Sequence, residues 1–127
     1  MMSFTLRILC MLLFIMTPAA AAEGADMPRE EIYLAFSEAN RAFARANDSL
    51  DNPELARAEY EKAILEYERI IEQGGIKNAK LYYNLANACL LSGNLGRAIV
   101  NYRRAQRLDG TDPVIHKNLS YARSRRT

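Results

Sequence analysis

The chain has 127 residues, half of them hydrophobic and a quarter charged, with a formal net charge of +2. This length allows one domain and no more, and the apolar half is enough for a packed core. The nearly neutral overall charge does not by itself favour any class of partner.

The first 22 residues have the pattern of a secretory signal peptide. Arg7 precedes the apolar run Ile8–Met16, and the small residues Ala19–Ala22 suit the narrow pockets of a signal peptidase. We therefore expect cleavage near Ala22, export to the periplasm and a mature domain of residues 23–127. Secretion and retention as a membrane anchor are the alternatives, although the apolar stretch is shorter than the ~20 residues that a spanning helix needs.

Charge is distributed unevenly along the mature chain. Residues 23–73 carry a net charge of −7, whereas residues 74–127 carry +8. Such a module can stack head to tail on its own kind, or it can meet an acidic partner or anionic lipid with its basic end. Cys89 is the one cysteine after the signal peptide, so no intramolecular disulfide can form, and we expect it to pack as a small apolar side chain.

Apolar residues recur at spacings of three and four, which predicts helices and no strands. Helix starts are predicted by capping residues and prolines, and helix ends by glycines. In chain order, five helices are expected to open at Pro28, Asn52-Pro53, Asn78, Asn94 and Asp112-Pro113, with breaks at Gly74-Gly75, Gly93 and Gly110. The stripe expected to be buried on the first helix is Tyr33, Phe36, Ala39 and Phe43. Because the turns are short, neighbouring helices should be antiparallel.

Self-comparison reveals an internal repeat. Ala63–Ile70 aligns with Ala98–Ala105 at an offset of 35 residues. The second unit also has the motifs Tyr82-x-x-Leu85-Ala86-x-x-Cys89 and Ala98-x-x-x-Tyr102-x-x-Ala105. In period and motifs the chain resembles the tetratricopeptide repeat family, whose period is about 34 residues. The resemblance implies an all-α fold of antiparallel helix-turn-helix repeats that stack as a solenoid.

The same resemblance implies two repeats and a capping helix. Repeat one would cover about residues 31–75 with an insertion near 48–58, made of a loop and about two extra turns of the second helix. Repeat two would cover about 79–112, and the capping helix about 113–124. The residues expected to pack the repeats together are Phe36, Phe43, Ala63, Tyr67, Tyr82, Leu85, Ala86, Ala98, Tyr102 and Ala105.

A narrower resemblance rests on three segments. Ala39–Phe43, Leu81–Ala88 and Asn118–Arg123 are similar to the periplasmic repeat region of proteins of the aerotolerance-operon BatE type. This resemblance implies assembly with membrane proteins that carry von Willebrand A domains. Longer members of that type often continue into a membrane segment and a further domain, whereas this sequence ends at Thr127.

The sequence contains no recognisable catalytic or metal-binding constellation. His116 is the only histidine, and we expect it to be a partly buried filler. One histidine and one cysteine with scattered carboxylates do not make a metal site, and the glycines form no phosphate-binding loop. We therefore predict no enzyme activity and no cofactor, and export disfavours nucleic acid as a partner.

Residues on the first helix of each repeat are candidates for binding a partner, because the resemblance implies that these helices line a concave groove. The candidates are Arg41, Lys80, Tyr83, Asn84, Asn87, Lys117, Asn118 and Tyr121. Asparagines there can hydrogen-bond an extended peptide, and lysines can meet its carboxylate. Asn87 and Asn118 match a carboxylate-holding pattern known in the family, while Tyr83 replaces an expected lysine. Solvation of a bare groove is the alternative interpretation.

These observations predict an exported adaptor or scaffold for protein–protein interaction, in a periplasmic or membrane-associated complex. A structural module that associates with itself is the second hypothesis, because two repeats fall short of the ~3 usually needed for stability. The third is an accessory subunit of an enzyme. Peripheral association with a membrane is compatible with all three hypotheses.

Overall fold

The computed structural model describes residues 27–126, which form five α-helices. They are α1 (Arg29–Asp48), α2 (Pro53–Glu72), α3 (Ala79–Leu91), α4 (Leu95–Leu108) and α5 (Pro113–Ser124). No strand occurs in this part of the chain, and the expected all-α fold of helical repeats is confirmed. None of these five helices has both the length and the apolarity that crossing a bilayer demands. The predicted signal peptide, residues 1–22, lies outside the described residues.

Each helix packs against its neighbours in sequence. α1 packs on α2, α2 on α3, α3 on α4, and α4 on α5. Tyr60 is hydrogen-bonded to Asn47 and Tyr67 to Asn40, so α1 and α2 run antiparallel. The largest apolar core extends from α1 through α4 and reaches α5 at Leu119. The fold is therefore a row of helices in which α5 covers the end of the second helix pair.

Side-chain caps set the starts of four helices. An oxygen of each capping side chain accepts a hydrogen bond from a backbone amide in the first turn of α2, α3, α4 and α5, and the caps are Asn52, Asn78, Asn94 and Asp112. Each bond satisfies a donor that the helix start leaves unpaired, and is typically worth about 1 kcal/mol. Gly75 and Gly93 follow α2 and α3 with φ values of 64° and 88°, a backbone conformation that favours glycine.

The expected buried stripe of α1 was wrong in part. Tyr33 is 72% exposed, and Phe36 and Phe43 are only half-buried. The enclosed side chains of α1 are instead four alanines, Ala35, Ala39, Ala42 and Ala46. α1 is the first described helix and packs mainly on α2, so it needs only one narrow buried face. Alanines on that face let the two backbones approach closely.

The first helix pair is longer than the second. The turn between α1 and α2 occupies residues 49–52. α2 begins ten residues before Ala63, whereas α4 begins three residues before Ala98, its counterpart. Most of the additional residues near 48–58 therefore lengthen α2 by about two turns, since a turn takes about 3.6 residues.

The residues expected to pack the repeats together occupy the core, except for the half-buried Phe36 and Phe43. Five of them have no exposed surface, namely Ala63, Ala86, Ala98, Tyr102 and Ala105. The alanines allow close helix crossings, and the tyrosine fills the space beside them. A large residue in place of any of these alanines would have to displace a helix, because protein interiors are close-packed.

Ion pairs connect the helices on the acidic half of the molecule. Glu59 of α2 accepts hydrogen bonds from Lys62 Nζ at 2.6 Å and from Arg45 Nε of α1 at 2.8 Å. Arg69 pairs with Glu31 across the same two helices. Glu59 is among the few polar side chains in the core, with 6% of its surface exposed. Its two cationic partners compensate for the loss of hydration.

Stability is expected to fall in acid through Glu59. The hydrogen bonds from Lys62 and Arg45 hold the pKa of this carboxyl below its ordinary value of 4.5. The contribution is therefore present above about pH 4.5 and is lost as the pH falls through the lower pKa of the folded protein. Urea denaturation should show that Glu59→Gln lowers the unfolding free energy at neutral pH and flattens its decline in acid. The exposed Glu72→Gln is the control, and an unchanged acid dependence in Glu59→Gln would contradict this account.

Candidate functional site

A triad of side chains recurs three times where paired helices face each other. In each triad an aromatic ring and an asparagine four residues later lie on one helix, and a tyrosine of the partner helix meets both. The triads are Phe36, Asn40 and Tyr67; Phe43, Asn47 and Tyr60; and Tyr83, Asn87 and Tyr102. The tyrosine hydroxyl donates to the asparagine Oδ1 at 2.5–2.7 Å in every case. Burial raises the pKa of Tyr67 to about 12 and raises the pKa of Tyr102 as well, so both hydroxyls keep their protons.

The triads establish which residues of the two helix pairs are equivalent. Phe36 contacts Tyr67 as Tyr83 contacts Tyr102, so Phe36 corresponds to Tyr83. Asn40 likewise corresponds to Asn87. This register differs by one residue from the alignment of Phe36-x-x-Ala39-Asn40-x-x-Phe43 with Tyr82-x-x-Leu85-Ala86-x-x-Cys89, which the shared spacing of the two segments predicts. Helical stripes spaced by three and four fit two adjacent registers, and only the contacts distinguish them.

Asn118 joins the last helix to the third triad. Its Nδ2 donates to the Tyr83 hydroxyl at 3.1 Å and to Asn87 Oδ1 at 3.2 Å. Asn87 Oδ1 thus accepts from both Tyr102 and Asn118. One polar network, which we call the asparagine network (Tyr83, Asn87, Tyr102 and Asn118), connects α3, α4 and α5.

A hollow of about 340 Å³ opens directly over the asparagine network. Residues of the alternate helices α1, α3 and α5 line it, together with one tyrosine of α4. The lining residues are Phe43, Asn87, Leu90, Leu91, Tyr102, Asn118 and Tyr121. Tyr121 is 54% exposed and Leu91 51% exposed, so the hollow combines exposed apolar surface with amide groups. This composition suits a ligand that has both apolar side chains and peptide groups.

The asparagine network leaves one donor group and one acceptor unused on two residues that line that hollow. Within residues 27–126, Asn87 uses its Oδ1 and Asn118 uses its Nδ2, but neither the Nδ2 of Asn87 nor the Oδ1 of Asn118 has a partner. A peptide group offers the complementary pair, a carbonyl oxygen and an N–H. The two asparagines can therefore bind the backbone of an extended segment without reading its side chains.

The other candidate residues from the sequence do not line this hollow. Lys80 lines a separate cleft near the start of α3, and Lys117 is exposed on α5. Asn84 is half-buried, one position after Tyr83. Arg41 donates to Ser37 Oγ of its own helix at 3.1 Å. The structure thus brings Tyr83, Asn87, Asn118 and Tyr121 together but places Lys80 and Arg41 elsewhere.

Sequence reasoning missed two residues that line the hollow and one residue of the first triad. Leu90 and Leu91 line the hollow, and Asn40 is the first-repeat counterpart of Asn87. The recurrence of an aromatic residue followed four positions later by asparagine could have revealed Asn40. No local pattern distinguishes these two leucines from the buried apolar residues of α3.

His116 and Cys89 have structural surroundings. His116 is exposed rather than partly buried, because Ile115 takes the core position of that turn. Its Nε2 lies 2.6 Å from the Gly110 carbonyl oxygen and its Nδ1 lies 2.8 Å from Gln106 Nε2, so it links α4 to α5. Cys89 is fully buried, and burial raises the pKa of its thiol to about 11. Residues 27–126 contain no group of histidine, cysteine and acidic side chains that could hold a metal ion.

Comparison with known families identifies the second helix pair. Residues 79–112 match the family model of the tetratricopeptide repeat. That segment comprises α3, α4 and the turn before α5. The chain therefore contains a tetratricopeptide repeat, a unit that generally mediates protein–protein interaction. No curated protein and no solved structure matches the chain.

Proposed function

We propose that this protein is an exported adaptor that binds an extended segment of a partner protein over the asparagine network. The observation that carries this proposal is the unpaired donor on Asn87 and acceptor on Asn118 at the wall of one hollow. Exposed Tyr121 and Leu91 offer apolar contact beside them. Aromatic residues are enriched where protein interfaces gain most of their affinity.

The cellular setting is part of the proposal. The signal-peptide pattern of residues 1–22 supports export to the periplasm. The resemblance to the aerotolerance-operon BatE type supports a place in a membrane-associated complex, with a partner that carries a von Willebrand A domain. The protein would hold such a partner and would not itself catalyse a reaction.

A crosslinking pull-down from periplasmic and membrane fractions tests the adaptor proposal. Asn87→Asp keeps an oxygen for Tyr102 and Asn118 but replaces the free donor with a second acceptor. Asn40→Asp makes the same change in the first triad, away from the hollow. We expect capture of the partner to fall about tenfold, equivalent to ~1.4 kcal/mol, in Asn87→Asp and to persist in Asn40→Asp. Circular dichroism controls for folding.

Equal capture by both variants would place the contact elsewhere and contradict the assignment to the hollow. Self-association is the second candidate function, favoured by the charge asymmetry between the two halves of the chain. It predicts crosslinks only between copies of the protein and a mass that rises with concentration and falls with salt. A monomer at all concentrations and salt levels would exclude it.

A further inference from the structure

A second opening, the apolar cleft, lies between the first turns of α1 and α3. It measures about 480 Å³ and is walled mainly by aliphatic and aromatic side chains. The apolar residues are Ile32, Tyr33, Phe36, Ile70, Ile76 and Leu81. Its volume lies within the ~300–1,000 Å³ typical of ligand-binding pockets. Tyr33, which is 72% exposed, and the adjacent Leu34 extend the apolar surface outward.

Two cationic residues line this cleft, and none of its lining residues in the described part of the chain is acidic. Arg29 and Lys80 are both exposed lining residues, and neither forms an ion pair within residues 27–126. Glu30 lies outside the cleft and lines, with Arg29, Tyr33 and Leu34, the smaller hollow beside it. Apolar walls beside two positive charges complement a ligand that combines an apolar group with an anion.

Another hollow, lined by residues of α2, of α4 and of the turn between α3 and α4, offers a contrast. It is lined by Arg57 and Glu61, whose side chains pair with each other at 3.2 Å. Its lining is also more polar, with Ser92 and Asn94 among the members. Because Glu61 already compensates the charge of Arg57, this hollow has no comparable preference for an anionic ligand.

The cleft and the asparagine network lie along one helix. Lys80, Tyr83 and Asn87 occupy successive turns of α3. Lys80 and Asn87 are seven positions apart along the helix, which is a rise of about 10 Å. An extended chain covers that distance with about three residues. One continuous segment can therefore place its backbone on Asn87 and Asn118 and its next side chains in the cleft.

We propose that the apolar cleft selects a partner segment in which carboxylates lie close to a large apolar side chain. The apolar side chain fills the space between Phe36 and Leu81, and the carboxylates meet Arg29 and Lys80. This inference rests on the proposed adaptor function and specifies its partner: an acidic, apolar segment of a protein.

Fluorescence anisotropy with synthetic peptides tests this selectivity. The probe is a labelled decapeptide of glycine and serine with one phenylalanine followed by two aspartates. We expect it to bind about tenfold more tightly than versions with serine for phenylalanine or lysines for the aspartates. Binding should weaken as salt increases, because the charges at the cleft are exposed.

Matched variants locate the contact. Lys80→Glu should weaken probe binding about tenfold, whereas Lys77→Glu, which makes the same charge change outside the cleft, should alter it less than about twofold. Tyr33→Ala should also weaken binding, while Leu65→Ala, another exposed apolar residue, should not. Both of these positions are exposed, so neither substitution should unfold the protein.

Three results would overturn the cleft proposal. The first is that the probe does not bind at protein concentrations up to ~1 mM. The second is that Lys80→Glu and Lys77→Glu weaken probe binding equally. The third is that oleate displaces the probe while the protein shows no preference for aspartate over lysine peptides. The last would indicate an acyl chain as the occupant. A native partner lost in Asn87→Asp but retained in Lys80→Glu would leave the adaptor function standing and reject the cleft alone. If both variants retain the native partner, the hollow over the asparagine network is rejected as the adaptor surface.

Discussion

Replacing Tyr102 by alanine should destabilise the protein by about 3–5 kcal/mol. The ring is fully buried, contacts Tyr83, and donates its hydroxyl proton to Asn87 at 2.5 Å. Alanine would leave a cavity between α3 and α4 and would also remove one anchor of the asparagine network. Since small domains are stable by only ~5–15 kcal/mol, this loss should remove a large part of the unfolding free energy.

Urea denaturation followed by circular dichroism measures this effect, and Tyr121→Ala is the matched control. Tyr121 is 54% exposed, so the same substitution there should change the unfolding free energy by no more than about 0.5 kcal/mol. Tyr102→Phe separates the two contributions, because it removes only the hydroxyl and should cost about 1 kcal/mol. Similar losses in Tyr102→Ala and Tyr121→Ala would contradict the packing described for α3 and α4.

Gly74→Ala is the second substitution with a large expected effect, about 2–3 kcal/mol of destabilisation. A Cβ at this position would lie 2.6 Å from the Ile70 carbonyl oxygen and 3.2 Å from Cδ1 of Ile32. The closer atom belongs to the backbone of α2, so relief requires movement of the helix end. That movement would disturb Ile70, which is 2% exposed and also lines the apolar cleft.

Gly96→Ala provides the control for this glycine. It lies in the first turn of α4, and an added Cβ there has no neighbouring atom of residues 27–126 within 4 Å. The same substitution should therefore be neutral or should stabilise the protein by up to about 1 kcal/mol, because glycine is a poor helix former. Thermal denaturation of both variants gives the comparison. A neutral Gly74→Ala would mean that the end of α2 can relax without loss.

The helix ends were predictable from sequence because local chemistry sets them. Asn52, Asn78, Asn94 and Asp112 cap the starts of helices through bonds that reach only two or three residues along the chain. Gly93 adopts a positive φ just after α3 for an equally local reason. The tetratricopeptide motifs then specified the order and packing of α3 and α4, since alanines and tyrosines at that spacing form a close crossing.

The surface of α1 and the arrangement of the groove required the structure. The stripe of Tyr33 and the phenylalanines is as apolar as a buried face, yet α1 has one main neighbour and buries its alanines instead. The network between Asn87 and Asn118 joins residues 31 positions apart. Its unpaired donor and acceptor depend on how α5 docks against α3, which no local pattern in the sequence encodes.

The most direct test of the central claim is photo-crosslinking from within the hollow. A photo-reactive phenylalanine analogue at Tyr121 lies at the hollow over the asparagine network, and the same analogue at Leu65, on α2 and 65% exposed, is the control. The proposed function predicts a crosslink from position 121 to one defined segment of a membrane-complex protein, with none from position 65. Crosslinks of equal yield from both positions, or none from position 121 when a partner is captured, would contradict it.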